Sequence, residues 1–181
     1  DDREALVPGA VHLSLSDFRA GEATLRLMLQ LPELTQRGRP LVLIQTFQPD
    51  HPVLRTLLAE DRDQALEDFT SSTLERREAF GYPPFAQLAR VEISARDRAA
   101  AEREASRLRG ALLAAGASDS EVLGPTPAGV ARVRGRYVWQ LVLRSSDPGR
   151  FSAMLQGVPA GQQGARFRVD VDPREVSLQL E

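Results

Sequence analysis

The residues best suited to chemistry in this sequence are four arginines that stand close to two aromatic side chains. Between Ala128 and Arg144 there are four positive charges and no acidic residue. Guanidinium groups contact phosphates and aromatic rings stack on bases, so this pattern is typical of a nucleic-acid surface. A solvated strand edge, with Trp139 in the core, explains the pattern equally well. The candidate DNA-contacting residues are Arg132, Arg134, Arg136, Tyr137 and Arg144.

The composition excludes several other kinds of site. The absence of cysteine excludes disulfides, thiol catalysis and cysteine-based zinc sites. All 23 cationic residues are arginine, so a phosphate-binding loop of the G-x-x-x-x-G-K-[ST] type is excluded as well. His12 and His51 are the only histidines, and lone histidines are commonly structural. The net charge of −2 indicates no general attraction to nucleic acid, so any DNA contact must come from a local patch.

One pair of carboxylates is a weaker candidate. Asp170 and Asp172 share one face of the last predicted strand, where two carboxylates could hold Mg²⁺. We favour the simpler interpretation, in which they form a turn and pair with Arg168 or Arg174. No metal site is therefore predicted.

The first half of the chain shows a strand, helix and strand rhythm. Residues 10–15 predict a short strand, and Asp17 caps a helix that runs to about Leu31. The near-continuous apolar run at 41–47 predicts a strand buried on both faces. This order is typical of the end of a parallel-sheet α/β domain, which would need partners outside the chain to close its sheet. The chain lacks an initiator Met, and we expect it to be a piece of a longer protein.

Two helices lead to a domain boundary, and one compact unit follows. One helix is predicted to open at 49–52 and a second to run over about 62–80, and the Gly-Tyr-Pro-Pro-Phe break at 81–85 marks the boundary. The later pattern predicts strands at 87–95, 122–123, 137–144 and 167–171, and helices at about 97–115 and 148–156. The order βαββαβ is that of a ferredoxin-like sandwich.

Six short strings occur in order along nearly the whole chain. They are D-F-R-A-G-E at 17–22, I-Q-T-F-Q-P-D-H-P at 44–52, R-R at 76–77 with Y-P-P-F at 82–85, L-G-P-T-P-A at 123–128, G-R-Y-V-W-Q at 135–140 and V-D-V-D-P at 169–173. In this order they resemble the C-terminal region of the primosomal protein N′ (PriA) family of replication-restart helicases. They resemble the family's D-F-R-A-x-E, I-Q-T-x-x-P-x-H-P, R-R-x-x-x-x-x-P-P-F/W, L-G-P-x-P-A, G-R-Y-R-W-Q and D-V-D-P. Each string is weak by itself, but together they cover nearly the whole chain.

The resemblance implies an architecture and a set of partners. Residues 1–60 would be the end of the second, RecA-like helicase lobe, 61–80 a connecting helix, and 81–181 a C-terminal domain similar to ribosomal protein S-ten. The expected partners are branched or single-stranded DNA and the replicative helicase loading machinery, with no membrane involved. We expect a bacterial, cytoplasmic protein associated with the nucleoid. The family uses ATP with Mg²⁺, and zinc, in segments absent from this chain, so no cofactor is expected here.

The resemblance also implies a pocket for the C-terminal tail of single-stranded DNA-binding protein (SSB). In the family, the Arg and Gln of the R-Y-x-W-Q string help to form this pocket, and they correspond to Arg136 and Gln140 here. A guanidinium can grip a terminal carboxylate through two hydrogen bonds, so the role is physically reasonable. Other walls of the pocket come from family segments absent here.

One departure from the family bears on catalysis. Where the family reads Q-V-A-G-R-A-G-R-G, residues 30–38 read Q-L-P-E-L-T-Q-R-G. Gln30 and Arg37 match, but Leu34 occupies the first arginine position. An arginine finger is worth on the order of 10³–10⁵ in the rate of phosphoryl transfer, and leucine cannot supply its charge. We therefore expect DNA binding and replisome reloading without ATP hydrolysis, and no catalytic residue in this chain.

Two alternatives stay open at this stage. The first is an active ATP-dependent 3′–5′ DNA helicase whose nucleotide site lies upstream and tolerates Leu34. The second is a ferredoxin-like module that binds RNA or a small ligand and has no role in replication, since such sandwiches host many functions.

Overall fold

The computed structural model describes residues 18–30, 44–160 and 164–173. Contacts divide the chain into two units, of which one ends at Thr70 and the other begins at Ser71 and also includes Phe18. In the described ranges, no helix is both long enough and apolar enough to cross a bilayer.

The first unit is helical where it is described. It contains α1 (Ala20–Gln30), α2 (Pro52–Leu58) and the first part of α3 (Arg62–Phe80). Helix α2 begins where the ring of His51 accepts a hydrogen bond from the backbone N–H of Val53, so this histidine is a helix cap. Leu25, Val53 and Phe69 form a small apolar core.

The prediction of a strand at 41–47 is wrong at 44–47, the part of it that the structure describes. Residues 44–47 adopt no strand conformation and are exposed, with the ring of Phe47 fully accessible to water. A strand buried on both faces requires neighbouring strands and covering helices. The described part of this unit contains no strand that could pair with residues 44–47. The strand predicted at 10–15 lies outside the described residues.

The second unit confirms the ferredoxin-like prediction. Its elements after α3 are β1 (Gln87–Ala95), α4 (Arg98–Ala114), β2 (Val122–Val133), β3 (Arg136–Ser145), α5 (Pro148–Gln156) and β4 (Arg166–Val171). They form one antiparallel sheet in the order β2-β3-β1-β4. This is the strand order of a split βαβ sandwich.

Strand alternation and helix caps explain this arrangement. One face of β1 and β3 packs with α4 and α5 into the main core, which includes Ile93 and Leu141. Trp139 belongs to this core and is 9% exposed, which confirms the interpretation that the tryptophan is buried. The side chains of Asp97 and Asp147 cap α4 and α5 by accepting a backbone N–H three residues later.

Strand β2 is much longer than the two residues predicted. It continues from Val122 to Val133, with register shifts between Leu123 and Thr126 and between Pro127 and Arg132. Proline cannot donate a ladder hydrogen bond and is tolerated on an edge strand, which is the position of β2. The prolines that indicated a loop are therefore accommodated as irregularities in a long edge strand.

Candidate nucleic-acid interface

Three of the four candidate arginines lie at a tight hairpin, while Arg144 lies eight residues further along β3, roughly 26 Å from Arg136. A two-residue turn joins β2 to β3, and its residues Arg134 and Gly135 have φ angles of 48° and 78°. Two positive φ angles in a two-residue hairpin loop are typical of a type I′ turn. Register pairs Val133 with Arg136 and Arg132 with Tyr137.

The hairpin places the arginines differently from a single extended stretch. Cross-strand partners share a face, so the backbone positions of Arg132 and Arg136 belong to opposite faces of the sheet. In one extended stretch, alternation would place Arg132, Arg134 and Arg136 on one face. The chain reverses at Arg134 instead, so these three positions do not share a face. Only the backbone position of Arg132 is described.

Arg134 is the most accessible of these cations. It is exposed at the tip of the hairpin and makes no hydrogen bond or ion pair in the described part of the chain. All of its N–H donors are therefore available to a ligand. No acidic residue lies between 128 and 144 to compete for its charge.

Arg136 already holds two segments together. Its Nε donates to Ser94 Oγ at 3.3 Å, and its Nη2 donates to the carbonyl oxygens of Ser94 at 2.8 Å and Gly164 at 2.9 Å. Only Nη1 makes no hydrogen bond within the described residues. With these bonds in place, the side chain can hold a carboxylate through Nη1 alone. A grip through two nitrogens would require at least one of the existing bonds to break.

Arg144 is similarly committed. Its Nε donates to the carbonyl oxygen of Ser120 at 2.7 Å, and its Nη1 donates to the carbonyl oxygen of Phe80, the last residue of α3. A cation at a helix C-terminus is favourable because it faces the negative end of the helix dipole. Arg144 thus fastens the end of α3 to the sheet and retains Nη2 for other contacts.

The two remaining candidates on β3 are less accessible. Tyr137 is half-buried and packs against the main core. Gln140 lies on the same face of β3 as Arg136 but is only 4% exposed. Positions four residues apart along a strand are separated by roughly 13 Å.

Asp170, near the end of β4, is engaged with an arginine. Asp170 Oδ2 lies 3.0 Å from Nη2 of Arg90, its cross-strand partner. The sequence predicts ion pairing here, but with Arg168 or Arg174. Nη1 of Arg168 instead lies 3.9 Å from Oε2 of Glu92. Arg174 is outside the described residues. The described ranges contain no cluster of three or more metal-ligating side chains.

An acidic residue supports the far end of the hairpin strands. Glu121 accepts hydrogen bonds from Arg150 at 2.6 and 2.8 Å, from Ser118 through both its backbone N–H and its hydroxyl, and from Ser145. The guanidinium of Arg150, followed by the N–H of Ser118, holds the pKa of this carboxyl far below its usual range. The carbonyl of Glu121 also accepts from the N–H of Arg144. The network anchors the loop before β2 to the start of α5.

Of the three residues that the resemblance assigns to the family's arginine motif, the structure describes only the first. Gln30 is the last residue of α1 and is exposed. Leu34 and Arg37 lie outside the described residues.

The sequence patterns missed one group of side chains. Phe18, Arg77, Phe80 and Tyr82 form a stacked cluster at the end of α3. The R-R and Y-P-P-F strings at 76–77 and 82–85 were the available signal, but they were interpreted only as a domain junction.

Comparisons with known proteins agree with this architecture. The family model for the primosomal protein N C-terminal domain matches residues 78–174. The chain is 47% identical over 162 residues to the probable replication restart protein PriA of Deinococcus radiodurans, which covers 90% of this chain and 17% of that protein. It is 36% identical over 160 residues to PriA of Treponema pallidum, which covers 87% of this chain and 22% of that protein. It is 32% identical over 170 residues to PriA of Haemophilus influenzae, which covers 89% of this chain and 22% of that protein. The chain thus spans about a fifth of the length of these relatives.

Proposed function

Because this chain belongs to the PriA family of replication restart proteins, we propose that it recognises branched DNA at stalled forks and supports reloading of the replication machinery there. The observation that carries the proposal is the position of Arg134, an uncommitted cation at the tip of a hairpin without acidic residues. A projecting cation of this kind suits phosphate contact, which supplies most of the affinity in DNA binding.

The local charge explains how a weakly acidic chain binds DNA. The net charge of −2 disfavours binding along the whole surface, so the hairpin must act as a local patch. At the hairpin, Arg134 contacts phosphate freely and Arg136 contributes through the one nitrogen that it retains. Arg144 lies eight residues further along β3, roughly 26 Å away, and offers its remaining nitrogen as a separate contact. Two separate contacts favour DNA that offers phosphates from more than one arm.

Equilibrium binding of the whole chain to forked DNA, linear duplex and RNA, repeated over a salt series, tests the proposal. We expect tighter binding to the fork than to a duplex of equal length. The logarithm of the association constant should fall linearly with the logarithm of the salt concentration, because each phosphate contact releases counterions. Equal affinity for fork and RNA would instead favour a ferredoxin-like RNA-binding module.

The acidic tail of SSB is the protein partner in this proposal. Arg136 offers Nη1 to the terminal carboxylate, while Gln140 is positioned on the same face but buried. A contact through one nitrogen is weaker and less directional than a two-bond grip. The described residues therefore support a modest contribution by this chain to tail binding.

The last part of the proposal concerns energy use. The parent protein binds and organises forks without hydrolysing ATP, since Leu34 stands where the family carries a catalytic arginine. In this scheme residues 1–60 belong to the helicase lobe, 61–80 connect, and 81–181 form the domain that binds DNA and partners. A protein that still binds forks but no longer hydrolyses ATP would act as a loader or scaffold in the bacterial cytoplasm.

A further inference from the structure

A row of stacked side chains ends in solvent at the C-terminus of α3. The rings of Phe18 and Tyr82 are nearly parallel, with centroids 4.7 Å apart and an interplanar angle of 8°. The guanidinium carbon of Arg77 lies 4.9 Å from the centroid of Phe18. On the other side of the row, the ring of Phe80 lies 6.5 Å from that of Tyr82, tilted by 42°. Four groups thus follow one another as Arg77, Phe18, Tyr82 and Phe80.

The backbone around this row is fixed by several hydrogen bonds. Arg77 donates from Nη1 to the carbonyl oxygen of Pro83 at 3.2 Å, and its own carbonyl accepts from the N–H of Tyr82 at 2.8 Å. The carbonyl of Phe80 accepts from Arg144, a residue of the sheet. The terminal ring is therefore presented by a rigid backbone, which lowers the entropic cost of binding a flat ligand.

Phe80 is too exposed to be explained as part of the core. Its side chain is 61% accessible, although it ends a row whose inner members are half-buried. On a helix, the residue four positions earlier, Arg76, lies on the same side as Phe80 and is cationic, whereas the guanidinium of Arg77 lies at the other end of the row. Glu75 and Glu78 fall on other sides of the helix, so Arg76 is the charged residue that the helix places beside this ring. An aromatic face beside a cation suits a ligand that is both flat and anionic.

We propose that Phe80 stacks against an unpaired nucleobase of single-stranded DNA, with the exposed Arg76 contacting the adjoining phosphate. This inference rests on the proposed DNA-binding function and specifies a second contact, separate from the hairpin arginines. Aromatic stacking accepts every base because each has a π face, so the site selects unpaired strands without selecting sequence. It would let the protein distinguish a fork with a single-stranded arm from a continuous duplex.

Substitution of Phe80 in the whole chain tests the inference. Phe80→Ala should weaken binding to a fork with an unpaired arm by about fivefold to a hundredfold, the range expected for loss of one base–aromatic stack. Affinity for a blunt duplex should change by less than about twofold, since paired bases are inaccessible. Phe80→Trp should preserve fork affinity, and 2-aminopurine in the unpaired arm should be quenched by the wild type but not by Phe80→Ala.

Leu74→Ala is the matched control, because it removes an exposed apolar side chain from the same helix. If both variants bind the unpaired arm as the wild type does, the stacking inference is overturned while the proposed function stands. An equal loss on fork and duplex overturns it too, because that pattern reports a folding defect. If the wild type binds no fork at all, the proposed function itself fails.

Discussion

The candidate DNA-contacting arginines differ in how many of their N–H donors are already used. A guanidinium has five N–H donors in a planar fork. Arg136 and Arg144 each use two nitrogens to hold carbonyl oxygens or a hydroxyl within the fold, whereas Arg134 uses none in the described chain. Identical residue types in one short segment therefore have different roles, and only the three-dimensional contacts separate them.

Arg134→Ala should weaken binding to forked DNA and reduce the salt slope by about one, because it removes one phosphate contact. Fluorescence anisotropy over a salt series measures both effects. Arg103→Ala is the control, since it removes another exposed cation, from α4. Equal losses from the two variants would mean that net charge, and not the hairpin, determines affinity.

Arg136→Ala in the full-length protein should weaken binding of an SSB tail peptide several-fold, because the terminal carboxylate loses its guanidinium partner. Calorimetric titration measures the change. The substitution also removes the bonds to Ser94 and Gly164, so thermal unfolding must be compared alongside. Arg166→Ala on β4, the edge strand that pairs with β1, is the control. Unchanged peptide affinity would reject a role for Arg136 in the pocket.

At the scale of elements, local patterns predicted the secondary structure well. The bounds of α3, β1 and α5 agree with the sequence because their periodicity, caps and breaks are local signals. The length of β2 and the partner of Asp170 could not be predicted. Both depend on strands that are distant in sequence, and the prolines of β2 imitate a loop.

The Glu121 network makes stability dependent on pH. The pKa of the Glu121 carboxyl in the folded chain lies below its ordinary value of 4.5. The ionised carboxylate therefore stabilises the fold fully above pH 4.5, and this stabilisation is lost progressively as the pH falls below 4.5. Glu121→Gln should lower the free energy of unfolding by about 1–2 kcal/mol at pH 7, since charge-assisted hydrogen bonds are lost. Denaturant titrations at pH 7 and pH 3 measure the change.

The difference between the wild type and Glu121→Gln should shrink as the pH drops from 4.5 towards 3. Glu102→Gln is the matched control, because Glu102 is exposed on α4. A difference that is constant with pH would show that the glutamine disturbs packing and not a charge interaction.

At the scale of the whole molecule, the ordered sequence strings predict the family, but they do not predict which side chains meet in much of the candidate site. Strings such as G-R-Y-V-W-Q at 135–140 survive as local sequence, so a linear comparison finds them. The stack that ends at Phe80 brings together residues from α3 and from positions as distant as Phe18. Its geometry depends on tertiary contacts, which no spacing rule encodes.

The full-length protein should show DNA-stimulated ATP hydrolysis near background, because Leu34 cannot neutralise the charge that develops on the transferred phosphoryl group. A coupled phosphate-release assay with and without forked DNA measures this. Leu34→Arg is the informative companion, since regained turnover would identify the missing charge as the cause. Robust turnover in the wild type that disappears in Arg37→Ala would contradict the expectation and favour an active helicase.

The turn at Arg134 sets two demands against each other. Its φ of 48° lies in the left-handed region, where a side chain such as arginine costs about 1 kcal/mol that asparagine or glycine largely avoids. A hairpin optimised for folding alone would carry one of those residues. Arginine at this position therefore costs some folding stability, and in return it places a positive charge at the tip of the hairpin.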